Sequence, residues 1–176
     1  MNQSQIDKFF LKQAFRCAEK FSQDPNTQTG AILVHSNKII FSQGANRIFY
    51  GLEYSEELVK RPEKYHNIIH AEKDVIFSAI RLGQANLILG STMYATWTPC
   101  ESCAEAIINA GIKRFITHQC TINWYNEKKN LANRLNWDDS TSKAIIQLKK
   151  CGVEYVCIQD PLQGINILFD DKQRVL

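Results

Sequence analysis

The sequence predicts an α/β fold with a mixed sheet, and two patterns along the chain lead to this prediction. From Thr92 onward, β-prone segments alternate with segments of helical periodicity in the order strand, helix, strand, helix, strand. This order requires a parallel sheet with right-handed crossovers. Upstream, the apolar runs AILV and KIIFSQG are separated by the polar residues HSN, which is typical of an antiparallel hairpin.

The remaining elements follow from apolar spacing and turn residues. Apolar residues at helical spacing predict a first helix over residues 6–21, which the turn residues SQDPN end. Residues 45–69 show no clean period, and a loop of this length in a compact domain is usually functional. The other predicted elements are a helix from His70 to Gly83, a strand near 92–95, a helix from Cys100 to Gly111, a strand at 113–118, a polar loop, a helix at 140–150 and a strand at 153–158.

The composition indicates a globular protein and gives little support to a nucleic-acid surface. With 176 residues, 44% hydrophobic and 22% charged, the chain is expected to form one domain over residues 1–176. The net charge is +3, and its basic runs are no longer than pairs such as Lys128-Lys129. A binding surface for duplex nucleic acid would instead gather basic residues in one patch or stripe.

The first residues and the cysteines indicate a cytoplasmic protein. The start MNQSQIDKFFLKQAF carries Asp7 and no long apolar core, so neither a signal peptide nor a membrane span is expected. In the reducing cytosol the six cysteines stay free. The close pair Cys100 and Cys103 then indicates metal or redox chemistry, whereas Cys17, Cys120, Cys151 and Cys157 are interpreted as small core residues.

Two predicted helix starts carry residues that suit a zinc site. His70 and Glu72 begin one helix, and Cys100 and Cys103 begin the next. Cysteines three residues apart share one helix face and can both reach one ion at about 2.3 Å, while an imidazole supplies a third ligand at about 2.0–2.1 Å. Three protein ligands leave the fourth tetrahedral position for a water, whose pKa falls toward roughly 7 on the metal.

The two halves of this constellation resemble the signature of zinc nucleobase deaminases, His-x-Glu followed by Pro-Cys-x-x-Cys. Here it reads His70-Ala71-Glu72 and Pro99-Cys100-Glu101-Ser102-Cys103. The stretches FSQDPNTQTGAILV and PCESCAEAIINAGIKRFI further resemble deoxycytidylate deaminases within the cytidine deaminase-like superfamily, and the resemblance covers roughly residues 6–158. It implies a three-layer α/β/α cytidine deaminase-like fold with a five-stranded mixed sheet, as a single zinc-dependent deaminase domain.

The resemblance also implies roles for individual residues. One zinc per chain would be bound by His70, Cys100 and Cys103, with Glu72 as the catalytic proton shuttle. The implied reaction is hydrolytic deamination of a cytosine nucleotide, with dCMP converted to dUMP and ammonia, by a homo-oligomer that binds neither membrane nor nucleic acid. The predicted substrate-binding residues are Asn26, Asn46, Arg47, Ala71, Trp97 and Thr98.

Three alternatives compete with this interpretation. A structural zinc site would be closed by a fourth ligand such as His66, His118 or Cys120, and a non-catalytic zinc-stabilised interaction module would need no glutamate. The same motif also occurs in adenosine deaminases acting on tRNA or single-stranded nucleic acid, which call for a basic surface and exposed stacking residues. Aromatic residues are more often part of a hydrophobic core than of a binding pocket, so we expect core positions for Trp124, Tyr125 and Trp137.

Overall fold

The computed structural model describes residues 1–36, 38–127 and 136–176, and its central feature is a mixed five-stranded sheet. The strands are β1 (Gly30–Val34), β2 (Ile40–Ala45), β3 (Arg47–Ile48), β4 (Ile68–Ile69), β5 (Thr92–Ala95), β6 (Arg114–His118), β7 (Glu154–Ile158), β8 (Asn166–Phe169) and β9 (Lys172–Val175). The sheet order is β2-β1-β5-β6-β7. Strand β1 is antiparallel to β2 and β5, whereas β5, β6 and β7 are parallel, which confirms the predicted topology.

Helices cover both faces of this sheet. They are α1 (Gln3–Phe21), α2 (Glu56–Val59), α3 (Lys64–Asn67), α4 (Ala71–Arg81), α5 (Glu101–Asn109), α6 (Gln119–Asn126) and α7 (Asp138–Lys150). Alternating strand residues divide the core in two: Ile32 and Tyr94 pack with α1 on one face, and Leu33 and Met93 pack with α4, α5 and α7 on the other. The predicted three-layer α/β/α architecture is therefore confirmed.

A close approach between α4 and β2 fixes α4, the helix that begins after His70 and carries Glu72, against the sheet. A Cβ atom placed on Gly44 of β2 would lie 2.3 Å from the backbone nitrogen of Val75 in α4. Only glycine allows this separation, because any larger residue would push the helix away from the strand. The sequence pattern of β2 therefore helps to position the residues that begin α4.

Three parts of the chain differ from the sequence prediction. The predicted loop at 45–69 contains α2, α3 and the ribbon formed by β3 and β4. Helix α6 follows β6 directly where a polar loop was predicted, because the His118 side chain caps it by accepting a hydrogen bond from Cys120 N. Residues 128–135 of that loop, with the Lys128-Lys129 pair, lie outside the described residues. The hairpin of β8 and β9 was not predicted.

No helix in the described parts of the chain is both long enough and apolar enough to cross a membrane.

Candidate active site

The predicted zinc ligands meet at one point beside two helix N-termini. His70 is the N-cap of α4 and Cys100 is the N-cap of α5, with Cys103 in the first turn of α5. The ligand atoms of the three residues lie within 4.8 Å of one another. His70 Nδ1 is 3.5 Å from Cys100 Sγ and 3.5 Å from Cys103 Sγ.

These separations and this donor set fit zinc. A tetrahedral ion with the usual Zn–S and Zn–N bond lengths holds its sulfur and nitrogen ligands roughly 3.5 Å apart. Two thiols and one imidazole are the soft and borderline donors that zinc prefers. Three protein ligands leave one coordination position open, as in catalytic zinc sites. The residues present therefore fit the predicted cofactor, one zinc ion per chain.

The electrostatics of the site favour a thiolate at Cys100. A hydrogen bond from the Cys103 thiol, aided by His70, lowers the pKa of Cys100 to about 3 despite its burial. The same hydrogen bond raises the pKa of Cys103 well above its usual range. A thiolate is the form of cysteine that binds zinc, so metal binding would displace the remaining thiol proton. The N-terminus of α5 also carries partial positive charge that stabilises a thiolate.

Glu72 lies beside the ligand set but is not part of it. Its side chain is buried in the first turn of α4 and lines the same cavity as His70 and Cys100. Burial raises the pKa of the Glu72 carboxyl to about 7, although His70 counteracts the effect. A carboxyl with a pKa near neutrality can both accept and donate a proton, as general acid–base catalysis requires.

Four of the six predicted substrate-binding residues line the cavity: Asn46, Ala71, Trp97 and Thr98. Asn46 Oδ1 accepts a hydrogen bond of 3.1 Å from Ala71 N. Thr98 Oγ1 lies 3.2 Å from the hydroxyl of Tyr155. Their direct contact with substrate stays a prediction, but the structure brings these four residues together around the zinc ligands.

An aromatic wall forms one side of the cavity, and sequence reasoning identified only part of it. The ring of Trp97 lies 5.4 Å from Tyr125, 6.4 Å from Trp137 and 5.5 Å from Phe169. Trp137 also contacts the His70 ring edge-on at 5.8 Å. Tyr125, Trp137 and Phe169 line the cavity, although the first two were expected in the core and Phe169 lies in a strand that was not predicted.

Asn26 and Arg47 do not line the cavity that the other four residues share, so their contact with substrate stays a prediction without support from the cavity. The Asn26 amide donates instead to Asp171 Oδ1 at 2.7 Å. Arg47 Nε lies 3.2 Å from Asp74 Oδ2, and its guanidinium stacks over Phe21. The Arg47 side chain is therefore engaged away from the cavity, whereas Asn46, in the bend between β2 and β3, lines it.

The cations that do line the cavity are Arg61 and Lys64, both from the predicted loop. Lys64 Nζ is 2.8 Å from both oxygens of Asp24, and both side chains of this pair are buried. Arg61 contacts Asp170 and Asp171 of the C-terminal hairpin. Both are among the basic residues that could bind a phosphate, but no local pattern distinguishes them from solvated surface residues, because their partners are distant in sequence.

The alternative of a closed structural zinc site does not fit the described residues. Among them, the only group of three or more potential metal ligands is His70 with Cys100 and Cys103. His118 is instead bonded through Nε2 to Asp160 O and through Nδ1 to Cys120 N. The interpretation of the other cysteines as core residues holds for Cys17, whereas Cys151 is exposed and Cys120 and Cys157 are half-buried.

Comparisons with known proteins agree with this site. The family model for the cytidine and deoxycytidylate deaminase zinc-binding region matches residues 4–119. The chain therefore belongs to the cytidine and deoxycytidylate deaminase family. This result confirms the predicted deaminase class and, with the geometry of the three ligands, the predicted zinc.

Relatives and solved structures give the same result. The deoxycytidylate deaminase of Homo sapiens is 33% identical over 117 residues, which are 62% of this chain and 62% of the human protein. That of Mus musculus is 32% identical over 171 residues, 93% of this chain and 85% of the mouse protein. The structure of a dCMP deaminase from the cyanophage S-TIM5 in complex with dCMP and dUMP matches with a TM-score of 0.65 and 23% identity, covering 90% of this chain and 99% of that chain. This likeness confirms the fold.

Proposed function

We propose that the protein catalyses the hydrolytic deamination of deoxycytidine 5′-monophosphate, with dUMP and ammonia as products. The observation that carries the proposal is the position of Glu72, a buried acid–base group that lines one cavity with a three-ligand zinc site. The names of the human and mouse relatives support this substrate. The cyanophage dCMP deaminase bound to dCMP and dUMP is a further parallel for such a cavity.

Glu72 would move the protons of the reaction. Zinc held by His70, Cys100 and Cys103 would acidify the attacking water and position it. The Glu72 carboxylate would accept a proton from this water as its oxygen bonds to C4 of the cytosine ring, and would deliver that proton to N3. It would then take the second proton and pass it to the departing amino group, so that water is consumed and ammonia is released.

The walls of the cavity would orient the two ends of the substrate. Trp97 and Trp137 provide aromatic surface near His70, where the base must lie for C4 to approach the metal. Asn46 carries a side-chain amide in the same wall. Arg61 and Lys64 are the cations that line the cavity, so they are the candidates for binding phosphate.

The substrate is tested by following ammonia release from purified protein supplied with dCMP, deoxycytidine, cytosine, adenosine and adenosine in RNA. Because the chemistry at C4 is common to all cytosine compounds, discrimination must come from contacts remote from the ring. A charge-assisted contact to phosphate contributes about 1.5–3 kcal/mol, so kcat/KM for dCMP should exceed that for deoxycytidine by roughly tenfold or more. Equal values would contradict the nucleotide assignment, and activity only on adenosine in RNA would favour the alternative deaminase.

A further inference from the structure

The C-terminal hairpin of β8 and β9 completes the cavity with two of its residues. Phe169 and Asp170 line the wall, although the family model ends at residue 119. The hairpin is attached to the segment before β1, since Gln28 N donates to Leu168 O at 2.8 Å and Leu168 N donates to Gln28 Oε1 at 2.7 Å. These hydrogen bonds, one between backbone groups and one to the Gln28 side chain, hold the hairpin at the cavity.

The turn of this hairpin engages one of the two cavity cations. Arg61 Nη2 lies 3.5 Å from Asp170 Oδ1, and Arg61 Nη1 lies 3.2 Å from Asp171 Oδ2. The Asp170 side chain is 9% exposed, whereas that of Asp171 is 44% exposed. Only Asp170 of these two carboxylates lines the cavity, so its charge is the less screened by solvent.

Arg61 has hydrogen-bonding capacity left for a ligand. Its Nε atom is buried and has no hydrogen-bond partner among the described residues, and the same holds for Thr29 Oγ1 in the same cavity. Burying a hydrogen-bond donor without an acceptor costs free energy, and an oxygen atom of a bound ligand would supply the missing acceptor. A phosphate at Arg61 would at the same time come close to the carboxylate of Asp170.

We propose that Asp170 is a specificity-determining residue, whose carboxylate competes with the substrate phosphate for Arg61 and disfavours substrates that carry additional phosphates. The inference rests on the proposed nucleotide function. The lining side chains at this end of the cavity are two cations, Arg61 and Lys64, and two carboxylates, Asp24 and Asp170, so their charges cancel. Each further phosphate adds negative charge next to Asp170, and like charges repel one another strongly at partly buried sites.

The test is the Asp170→Asn variant, which removes the charge and retains the shape of the side chain. Asparagine also tolerates the φ of 58° at this position. Values of kcat/KM are measured for deoxycytidine, dCMP and dCTP. The ratio of dCTP to dCMP should rise by roughly three- to tenfold, through KM, and the rise should diminish at high salt. An unchanged or lower ratio overturns the proposal.

Two further variants separate this role from a structural one. Glu127→Gln removes a carboxylate that pairs with Arg174 of the same hairpin at 2.6 Å but does not line the cavity, so the dCTP to dCMP ratio should not change. Arg61→Gln should lower the preference for dCMP over deoxycytidine by about tenfold or more, and an unchanged preference would overturn the role of Arg61 and of Asp170. A wild-type protein without preference for dCMP would instead overturn the proposed function itself.

Discussion

The side-chain oxygen of Asn46 accepts a hydrogen bond of 3.1 Å from the backbone N–H of Ala71, the residue between His70 and Glu72. Asn46 is itself fixed, because its backbone N donates to Thr29 O at 3.1 Å and its carbonyl accepts from Gln23 N at 2.7 Å. The end of β2 thus holds the first turn of α4. His70 and Glu72, the proposed metal ligand and the proposed proton shuttle, flank Ala71, so we expect their positions to depend on this contact.

We expect Asn46→Ala to disturb both stability and catalysis. The N–H of Ala71 would lose its acceptor in a buried position, which should lower the free energy of unfolding by about 1–3 kcal/mol. Asn46→Asp is the matched control, since a carboxylate oxygen can accept the same bond and is favoured at a helix N-terminus. Thermal unfolding and kcat/KM for dCMP separate the two effects. If Asn46→Asp restores stability but not activity, the side-chain amide of Asn46 itself contacts the substrate. Full activity of Asn46→Ala would contradict a role of Asn46 in catalysis.

The zinc site predicts a specific loss of metal in the Cys103→Ser variant. A hydroxyl is a poor ligand for zinc compared with a thiolate, so the occupancy should fall from about one zinc per chain toward zero. Elemental analysis of purified protein gives the zinc content directly. Cys151→Ser is the control, because Cys151 is exposed and lies outside the ligand group. An active wild-type protein with less than about a tenth of an equivalent of metal would contradict the site.

The position of Glu72 beside the ligands predicts a variant that is folded, loaded with zinc and inactive. Glu72→Gln or Glu72→Ala should keep the metal, and kcat should fall by roughly 10²- to 10⁴-fold, as expected when a general acid–base group is lost. Glu101→Gln serves as control, because Glu101 lies in the first turn of α5, next to Cys100, but does not line the cavity. Near-normal turnover of the Glu72 variants with zinc retained would end the proton-shuttle hypothesis.

The zinc ligands and Glu72 were predictable because their chemistry is encoded in short spacings. Two cysteines on one helix turn and His-x-Glu at another helix start are visible in the sequence, and the alternation of strands and helices places both starts at one edge of the sheet. Asn46 was found through its resemblance to a family position, and Trp97 because it is an aromatic residue next to Thr98 and Pro99 at the start of the cysteine helix. These features depend on local structure and on topology, not on the packing of individual side chains.

The cationic end of the cavity was not predictable in the same way. Arg61 contacts Asp171 across 110 positions of sequence, and Lys64 contacts Asp24 across 40. Such pairs form only when the irregular segment at 45–69 and the C-terminal hairpin pack together, and neither segment has a periodic pattern. Arg47 was favoured for the phosphate because it follows Asn46, but its guanidinium pairs with Asp74 and lies over the Phe21 ring, and it does not line the cavity.

A buried carboxylate on the opposite face of the sheet ties α1 to two strands. Asp7 Oδ1 accepts hydrogen bonds from the Tyr94 hydroxyl at 2.6 Å and from Gln3 Nε2 at 2.9 Å, and Asp7 Oδ2 accepts one from Arg114 Nη2 at 3.0 Å. Burial alone would raise the pKa of the Asp7 carboxyl. The hydrogen bonds from Arg114, Tyr94 and Gln3 outweigh this effect, so its pKa lies below the usual 3.8.

This depressed pKa fixes the sign of a pH effect on stability. As pH falls, the unfolded chain takes up a proton at Asp7 before the folded protein does, so the contribution of Asp7 is complete above about pH 5 and is lost as pH falls toward the lower folded pKa. Asp7→Asn should lower the free energy of unfolding by about 2–4 kcal/mol at neutral pH, and its difference from wild type should shrink between about pH 5 and pH 3. Urea unfolding of both proteins across this range measures the difference in their free energies of unfolding. Any loss of zinc in acid affects both proteins equally and cancels in this difference.

Glu154→Gln is the control, because Glu154 contacts the same Arg114 but its side chain is 56% exposed. This substitution should lower the free energy of unfolding by less than about 1 kcal/mol. A difference between wild type and Asp7→Asn that stays constant down to about pH 3 would show that the Asp7 carboxylate does not stabilise the fold through its charge.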